Sequence, residues 1–205
     1  MGIKWDYSMN SNGVLLAVED QLSEAVATEI LTRLGFVIQR SIVYKGFGSL
    51  KQKAIGLNQN ARKPYDVFML TDLDSPNVCP PTLIQSWVRG SLNPGFYLRV
   101  AVMEVESWVM ADRQAFAEFL EISGNQIPTP TDKILDPKNT LLTLVKKSKS
   151  TTLRRELVRD EGINNLRIGP GYNPRLSEFI YNHWDIQRAT SNSPSLGRTV
   201  NRLQT

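Results

Sequence analysis

Apolar positions in this chain fall into short continuous runs that alternate with stretches of helical period. Val14-Leu15-Leu16-Ala17-Val18 is unbroken, the form expected of a strand buried on both faces, and it ends at Glu19-Asp20. After Ser23, a plausible N-cap, Ala25, Val26, Ile30, Leu31 and Leu34 recur at helical spacing until Gly35 stops the pattern. Val37, Ile38, Ile42 and Val43 then mark a second strand between Phe36 and Tyr44. A helical segment running to about Arg62 follows the glycine-bearing stretch Lys45 to Lys53. Asp66 to Leu70 reads as the third strand, and Pro80-Pro81 open a helix through Ile84, Trp87 and Val88. Phe96 to Met103 reads as the fourth strand, and a helix is expected from Ser107 to about Leu120. Strands alternating with helices this regularly predict an α/β fold with a mostly parallel sheet flanked by helices.

Beyond Ser123 the pattern changes. Ile127-Pro128-Thr129-Pro130 resembles a linker, and the remainder reads as helical pieces: Lys138–Lys149, Thr151–Asp160, Pro174–Arg188 and Pro194–Leu203. No strand is evident there. The expected organisation is an α/β domain over residues 1–125 and a helical C-terminal region over 126–205.

Composition narrows the class without setting it. At 205 residues the chain can bury a proper core. The single cysteine, Cys79, excludes an internal disulfide and any multi-cysteine metal site. Met1 to Asn12 is polar, with no apolar core of a signal peptide, and no apolar run approaches membrane-spanning length. A cytoplasmic protein with no membrane role is expected. The formal net charge is only +4, so the placement of basic residues matters more than their excess. Lys146, Lys147, Lys149, Arg154, Arg155 and Arg159 form one cluster, and Arg188, Arg198 and Arg202 another. Either is a solvated helical face or a contact for a nucleic-acid backbone. His183, beside Trp184 in a helical pattern, reads as structural.

The candidate chemistry lies at the strand ends. Asp72 and Asp74 follow the third strand, Glu104 and Glu106 the fourth, and Glu19 the first. Right-handed crossovers bring these ends to one edge of a parallel sheet, the edge at which open α/β folds bind ligands. Residues two apart on an extended chain point the same way, so Asp72 and Asp74 are expected to project together. Carboxylates sharing a point repel unless a proton or cation lies between them. Taken singly, each pair is also compatible with a solvated turn. Lys45, Gly46, Gly48 and Lys51, before a helix, suit phosphate binding through close backbone approach, free helical N–H groups and positive charge, or form a plain turn with solvated lysines.

Taken together, Val18-Glu19, the Lys45-Gly46-x-Gly48-x-Leu50 loop, Thr71-Asp72-x-Asp74 and Glu104-Val105-Glu106-Ser107-Trp108-Val109-Met110-Ala111-Asp112 resemble a TOPRIM domain. This is the metal-binding module of topoisomerases, primases and the overcoming-lysogenization-defect nucleases. More closely, the chain resembles a bacterial TOPRIM-like family of unknown function associated with ABC-type ATPases in phage-defence loci, to which the tail Ser193-Pro194-Ser195-Leu196 with Arg198 also fits. Two departures stand out: Asp20 replaces the glycine usual after the first glutamate, and Ser23-Glu24 replaces an aspartate common in the nuclease branch. Asp20 or Glu24 could substitute as a ligand.

The resemblance implies Mg2+ or Mn2+ held by Glu19, Asp72, Asp74, Glu104 and Glu106. It also implies phosphodiester cleavage in DNA or RNA with Glu19, Asp72, Asp74 and Glu104 as catalytic residues, and an ABC/SMC-type ATPase partner within a larger complex that could include further copies of the chain. Two other readings stay open: a non-catalytic module docking on an ATPase, and another phosphoryl transfer using the same metal.

Overall fold

The computed structural model of the chain describes residues 13–62, 65–160, 162 and 166–205, so the N-terminal stretch read above as lacking a signal peptide lies outside the described residues. Strand β1 (Gly13–Val18) leads through helix α1 (Gln21–Arg33) to β2 (Val37–Val43). Helix α2 (Phe47–Asn60), β3 (Tyr65–Asp72), α3 (Pro80–Trp87) and β4 (Phe96–Ala101) follow in turn. All pairings in this sheet are parallel, and the strand order is β2-β1-β3-β4. The mixed α/β architecture, with helices flanking a four-stranded parallel sheet, is the one the alternating pattern predicts.

Local chemistry accounts for most boundaries. Asp20, not Ser23, caps α1: its Oδ1 accepts from the Ser23 N–H at 2.8 Å. Gly35 ends the turn after α1 at φ 82°, a conformation that costs glycine little. Pro80 and Pro81 occupy the first turn of α3, where a missing N–H leaves no bond unmade. The central strands β1 and β3 are almost wholly buried, whereas the edge strand β2 is not, with Val37 59% exposed.

After β4, the single helix expected to begin at Ser107 is instead two: α4 (Glu106–Ala111) and α5 (Arg113–Leu120). Asp112 breaks them apart by capping α5, accepting from the Ala115 N–H at 3.3 Å. The C-terminal part contains α6 (Pro137–Lys146), α7 (Thr151–Leu157), α8 (Tyr172–Asn182), α9 (Ile186–Thr190) and α10 (Pro194–Leu203). The expected helix Pro174–Arg188 is interrupted at His183-Trp184-Asp185, where the Asp185 side chain caps α9. A strand pair also appears where none was expected: β5 (Val158–Asp160) runs antiparallel to β6 (Leu166–Ile168).

These C-terminal helices close over one face of the sheet. A single apolar cluster runs from Val14 through Phe68, Trp108 and Phe116 to Leu141, Phe179, Leu196 and Leu203. A smaller cluster fills the other face, where α2 and α3 contribute Leu50, Ala54, Leu83 and Trp87. Full burial of a side chain as large as Leu or Phe is worth roughly 1.5–3 kcal/mol. Polar ties fix the register of the closure: Trp108 Nε1 donates to Ser195 Oγ at 2.7 Å, and the Ser195 N–H donates to Asp132 Oδ2 at 2.7 Å. Arg188 grips the buried Asp112 through both carboxylate oxygens, at 2.8 and 2.7 Å. The tail motif Ser193-Pro194-Ser195-Leu196 thus serves to dock α10. Among the described residues, no helix is long and apolar enough to cross a membrane.

Candidate active site

Parallel pairing sets the C-terminal ends of β1, β3 and β4 side by side, and each delivers acid. Glu19 leaves β1 half-buried; its Oε1 accepts from the Thr71 hydroxyl and, at 3.2 Å, from the Asp72 N–H. Asp72, the last residue of β3, is 9% exposed, and its Oδ1 accepts from the Val105 N–H at 2.9 Å. The chain does not stay extended to Asp74. Leu73 and Asp74 both donate their N–H groups to the Met103 carbonyl, at 3.1 and 2.9 Å, and Asp74 turns left-handed at φ 52°. Met103 is itself left-handed, at φ 63°. For residues other than glycine this conformation is uncommon, and two such residues bonded together at one sheet edge are a local cost of the site's shape.

Glu104 follows this turn, and Glu106 opens α4 with only 2% of its surface exposed. The two therefore belong to a loop and a helix, not to an extended strand end. Glu106 Oε1 accepts from the Tyr172 hydroxyl at 2.8 Å, while its Oε2 is buried with no hydrogen-bond partner among the described residues. Such an orphaned carboxylate oxygen is costly, and a proton or a cation beside it would relieve the cost.

Sequence reading missed two contributors, both from the C-terminal region. Tyr172 of α8 is one. Lys138, at the start of α6, is the other: its N–H donates to Glu104 Oε2 at 2.8 Å, and its Nζ reaches Glu104 Oε1 at 3.4 Å and Glu106 Oε1 at 3.5 Å. Asp136-Pro137 marks a helix start, but nothing local shows that this start meets an acid 34 residues earlier in the chain.

Electrostatics show the cluster to be short of positive charge. Burial pushes the Asp72 carboxyl well above its ordinary value, helped by Glu106, Glu19, Asp20 and Asp74. Burial also raises Glu19, although its hydrogen bonds to Thr71 and Asp72 oppose the shift. Asp74 is raised by burial and by Glu104, with Lys138 opposing. Glu106 is raised by burial, again against Lys138. Burial alone would lower Lys138, but Glu106, Glu104 and Asp72 outweigh it and hold the ammonium protonated. Among the described residues, Lys138 is the cation acting on Glu104, Glu106, Asp72 and Asp74, and the donor set is all oxygen, the kind Mg2+ and Mn2+ prefer. As the side chains are placed, no group of three among the described residues surrounds a point close enough to hold a metal ion.

The remaining sequence candidates divide. Gly46 adopts φ 93° and caps α2, donating to the Tyr44 carbonyl at 2.7 Å and, at 3.4 Å, to that of Glu19. Lys45 and Gly46 therefore adjoin the acidic edge through the Glu19 backbone. Gly48 and Lys51 lie inside the first turns of α2 and are exposed. Of the two departures, Asp20 caps α1 through Oδ1 while its charge acts on Glu19, Asp72 and Asp74, and Glu24 accepts from the Ser41 hydroxyl at 2.5 Å. His183 ends α8 against the Phe179 ring, on a different part of the molecule.

No known family model matches the sequence, and no curated protein matches it either. Two solved structures of the C-terminal region of the Xanthomonas campestris pv. campestris OLD protein, one phased with platinum and one with mercury, are structural neighbours. The first covers 95% of this chain and 92% of its own at 12% identity and a TM-score of 0.39. The second covers 97% and 96% at 11% identity and a TM-score of 0.38. Likeness at this level says nothing about chemistry, and the architecture stands on the strand order and register given above.

Proposed function

We propose that the chain is a metal-dependent, TOPRIM-like nuclease that hydrolyses phosphodiester bonds in nucleic acid. The observation that carries this reading is the acidic edge: buried Asp72 and Glu106, half-buried Glu19 and Glu104 and exposed Asp74, gathered where β1, β3 and β4 give way to the segments that follow them, with Glu106 Oε2 unpartnered among the described residues. If the Asp72, Asp74, Glu104 and Glu106 carboxylates closed on one point, they would hold Mg2+ or Mn2+, which would supply polarisation of the phosphate and a more acidic attacking water. Glu19 Oε1 is engaged by Thr71 and Asp72, which leaves Oε2 to accept the proton of that water, and a raised pKa makes it a better base. Lys138 Nζ supplies charge for the phosphate. Lys45 and the N-terminus of α2, with Gly46 and Gly48, would receive a neighbouring phosphate, and Lys51 adds long-range attraction.

The motif resemblance further supports an effector role in anti-phage defence with an ABC/SMC-type ATPase partner. A second reading has one observation in its favour. Lys138 already bridges Glu104 and Glu106, as a structural counter-ion would in a non-catalytic module docking on such an ATPase. Incubating the protein with labelled DNA and RNA, with and without partner, in Mn2+ or Mg2+ separates the two. The nuclease reading expects cutting that stops in excess chelator and in Asp72→Asn. Cutting that persists in chelator would remove the metal role, and no cutting with any metal or partner would favour the binding module.

A further inference from the structure

The second basic cluster does not survive intact in the fold, and what replaces it is more informative. Arg188 is committed to Asp112. Arg198 and Arg202, one turn apart on α10, lie beside the edge strand β4 and are joined there by Arg99. Arg99 Nε donates to Thr199 Oγ1 at 3.3 Å, a hydroxyl that itself donates to the Ser195 carbonyl at 3.0 Å. The Arg202 guanidinium sits 5.8 Å from the centre of the Tyr97 ring, two residues before Arg99 and hence on the same face of β4. Burial lowers the Arg99 pKa, and the charges of Arg202 and Arg198 lower it further. Asp66, buried on β3, acts on Tyr97, and no ion pair to Arg99, Arg198 or Arg202 is found among the described residues. Three guanidinium groups gathered without a carboxylate, one of them half-buried, repel one another unless an anion joins them.

Their position relates them to the acidic edge. Arg99 is the register partner of Leu70, and Asp72 is the partner of Ala101, one strand over and two residues on. Leu70 and Asp72 share a face of β3, so Arg99 and Asp72 lie on the same side of the sheet. A rise of about 3.3 Å per residue and a strand spacing of about 4.8 Å put their Cα atoms roughly 8 Å apart.

We propose that Arg99, Arg198 and Arg202, with the Tyr97 ring, bind the phosphate backbone of a nucleic-acid strand beside the acidic edge. The inference rests on the nuclease reading for its ligand class. Arginine forks match phosphate oxygens two at a time, and a tyrosine paired with a guanidinium offers a face on which a base can stack. An acidic protein segment would use the charge but has no need of the ring.

The test is binding without turnover: fluorescence anisotropy of a fluorescein-labelled 20-mer, as single strand and duplex, in chelator over 50–200 mM salt. Arg198 and Arg202 are exposed, so Arg198→Glu/Arg202→Glu should fold normally, with Arg198→Gln/Arg202→Gln as the milder partner. The reversal should weaken binding about tenfold or more at 100 mM salt and flatten the log–log salt slope by about two units. Unchanged affinity and slope in both variants would overturn the proposal while leaving hydrolysis untouched. So would a loss seen only in Lys147→Glu/Arg155→Glu, or displacement of the oligonucleotide by poly-glutamate at equal charge. If the wild type binds through these arginines yet cuts nothing with any metal, the patch stands and the nuclease reading falls.

Discussion

At the scale of single residues, Asp72 decides whether the acidic edge is a site or a coincidence of turns. Its carboxyl is buried among Glu106, Glu19, Asp20 and Asp74, so the charged form is disfavoured in the folded protein. A group whose folded pKa is raised stabilises the fold below its unfolded value, 3.8 here, and loses that contribution as pH rises through the folded value. Metal-free protein should therefore lose stability on going from about pH 4 upward through the raised range, and Asp72→Asn should make that decline shallower. At neutral pH the variant should melt higher, by about 2–4 °C for each kcal/mol of repulsion relieved, because asparagine Oδ1 can still accept from Val105. Magnesium should stabilise the wild type by mass action and should do so far less in the variant. Thermal scans of both proteins across pH, with and without millimolar magnesium, read all three effects. A magnesium shift that survives Asp72→Asn would exclude Asp72 as a ligand.

At the scale of elements, the first half of the chain was legible because its signals are local. Apolar runs, Gly35, Pro80-Pro81 and the acids after the first, third and fourth strands all stand within a few residues of the boundaries they mark, and the sheet follows from the apolar runs and the punctuation between them. What was not legible depends on distant partners. The expected helix from Ser107 breaks at Asp112 because Arg188 and the Asp185 N–H, more than seventy residues later, hold that carboxylate in place. The strands β5 and β6 have three residues each, too few to show a period. The carboxylates of the candidate site could be named in the sequence, but their company could not: Lys138 and Tyr172 reach them only after α6 and α8 have packed. Two measurements follow. Arg188→Met leaves Asp112, 0% exposed, without its cation, and should cost about 3 kcal/mol in urea unfolding, whereas Asp112→Asn/Arg188→Met together should cost less. Lys138→Met removes the ammonium that pairs with Glu104 and Glu106. Its metal-free melting temperature should fall, and its magnesium-induced rise should exceed that of the wild type, because lysine no longer competes for Glu104 and Glu106. A smaller rise would show that Lys138 assists the metal.

At the scale of the molecule, the question is whether residues 1–125 and 126–205 can act apart. The composition change near Ile127 suggests a boundary, and a helical region free to dock on a partner would be convenient. The packing argues that the boundary divides labour within one folding unit. Val14, Leu16, Val18, Phe68 and Leu70 on the sheet share one apolar cluster with Leu141, Leu176, Phe179 and Leu196 from beyond it. Trp108 is fully buried, and among the described residues its ring nitrogen is satisfied by Ser195 alone. Cutting the chain at residue 125 would expose that whole face of the sheet, leave the Trp108 N–H without Ser195 and strip Asp112 of Arg188 and the Asp185 N–H, penalties that exceed the margin of a typical domain, roughly 5–15 kcal/mol. We therefore expect the 1–125 fragment to lack cooperative unfolding, to bind a hydrophobic dye and to show no fixed near-ultraviolet circular dichroism. A fragment without a cooperative fold offers magnesium no folded state to bind, so no magnesium-dependent stabilisation should remain. Adding 126–205 in trans should restore both signals if the two segments still recognise each other's apolar faces. A fragment 1–125 that melts cooperatively would show instead that the sheet is self-sufficient, and partner docking could then be mapped by simple truncation.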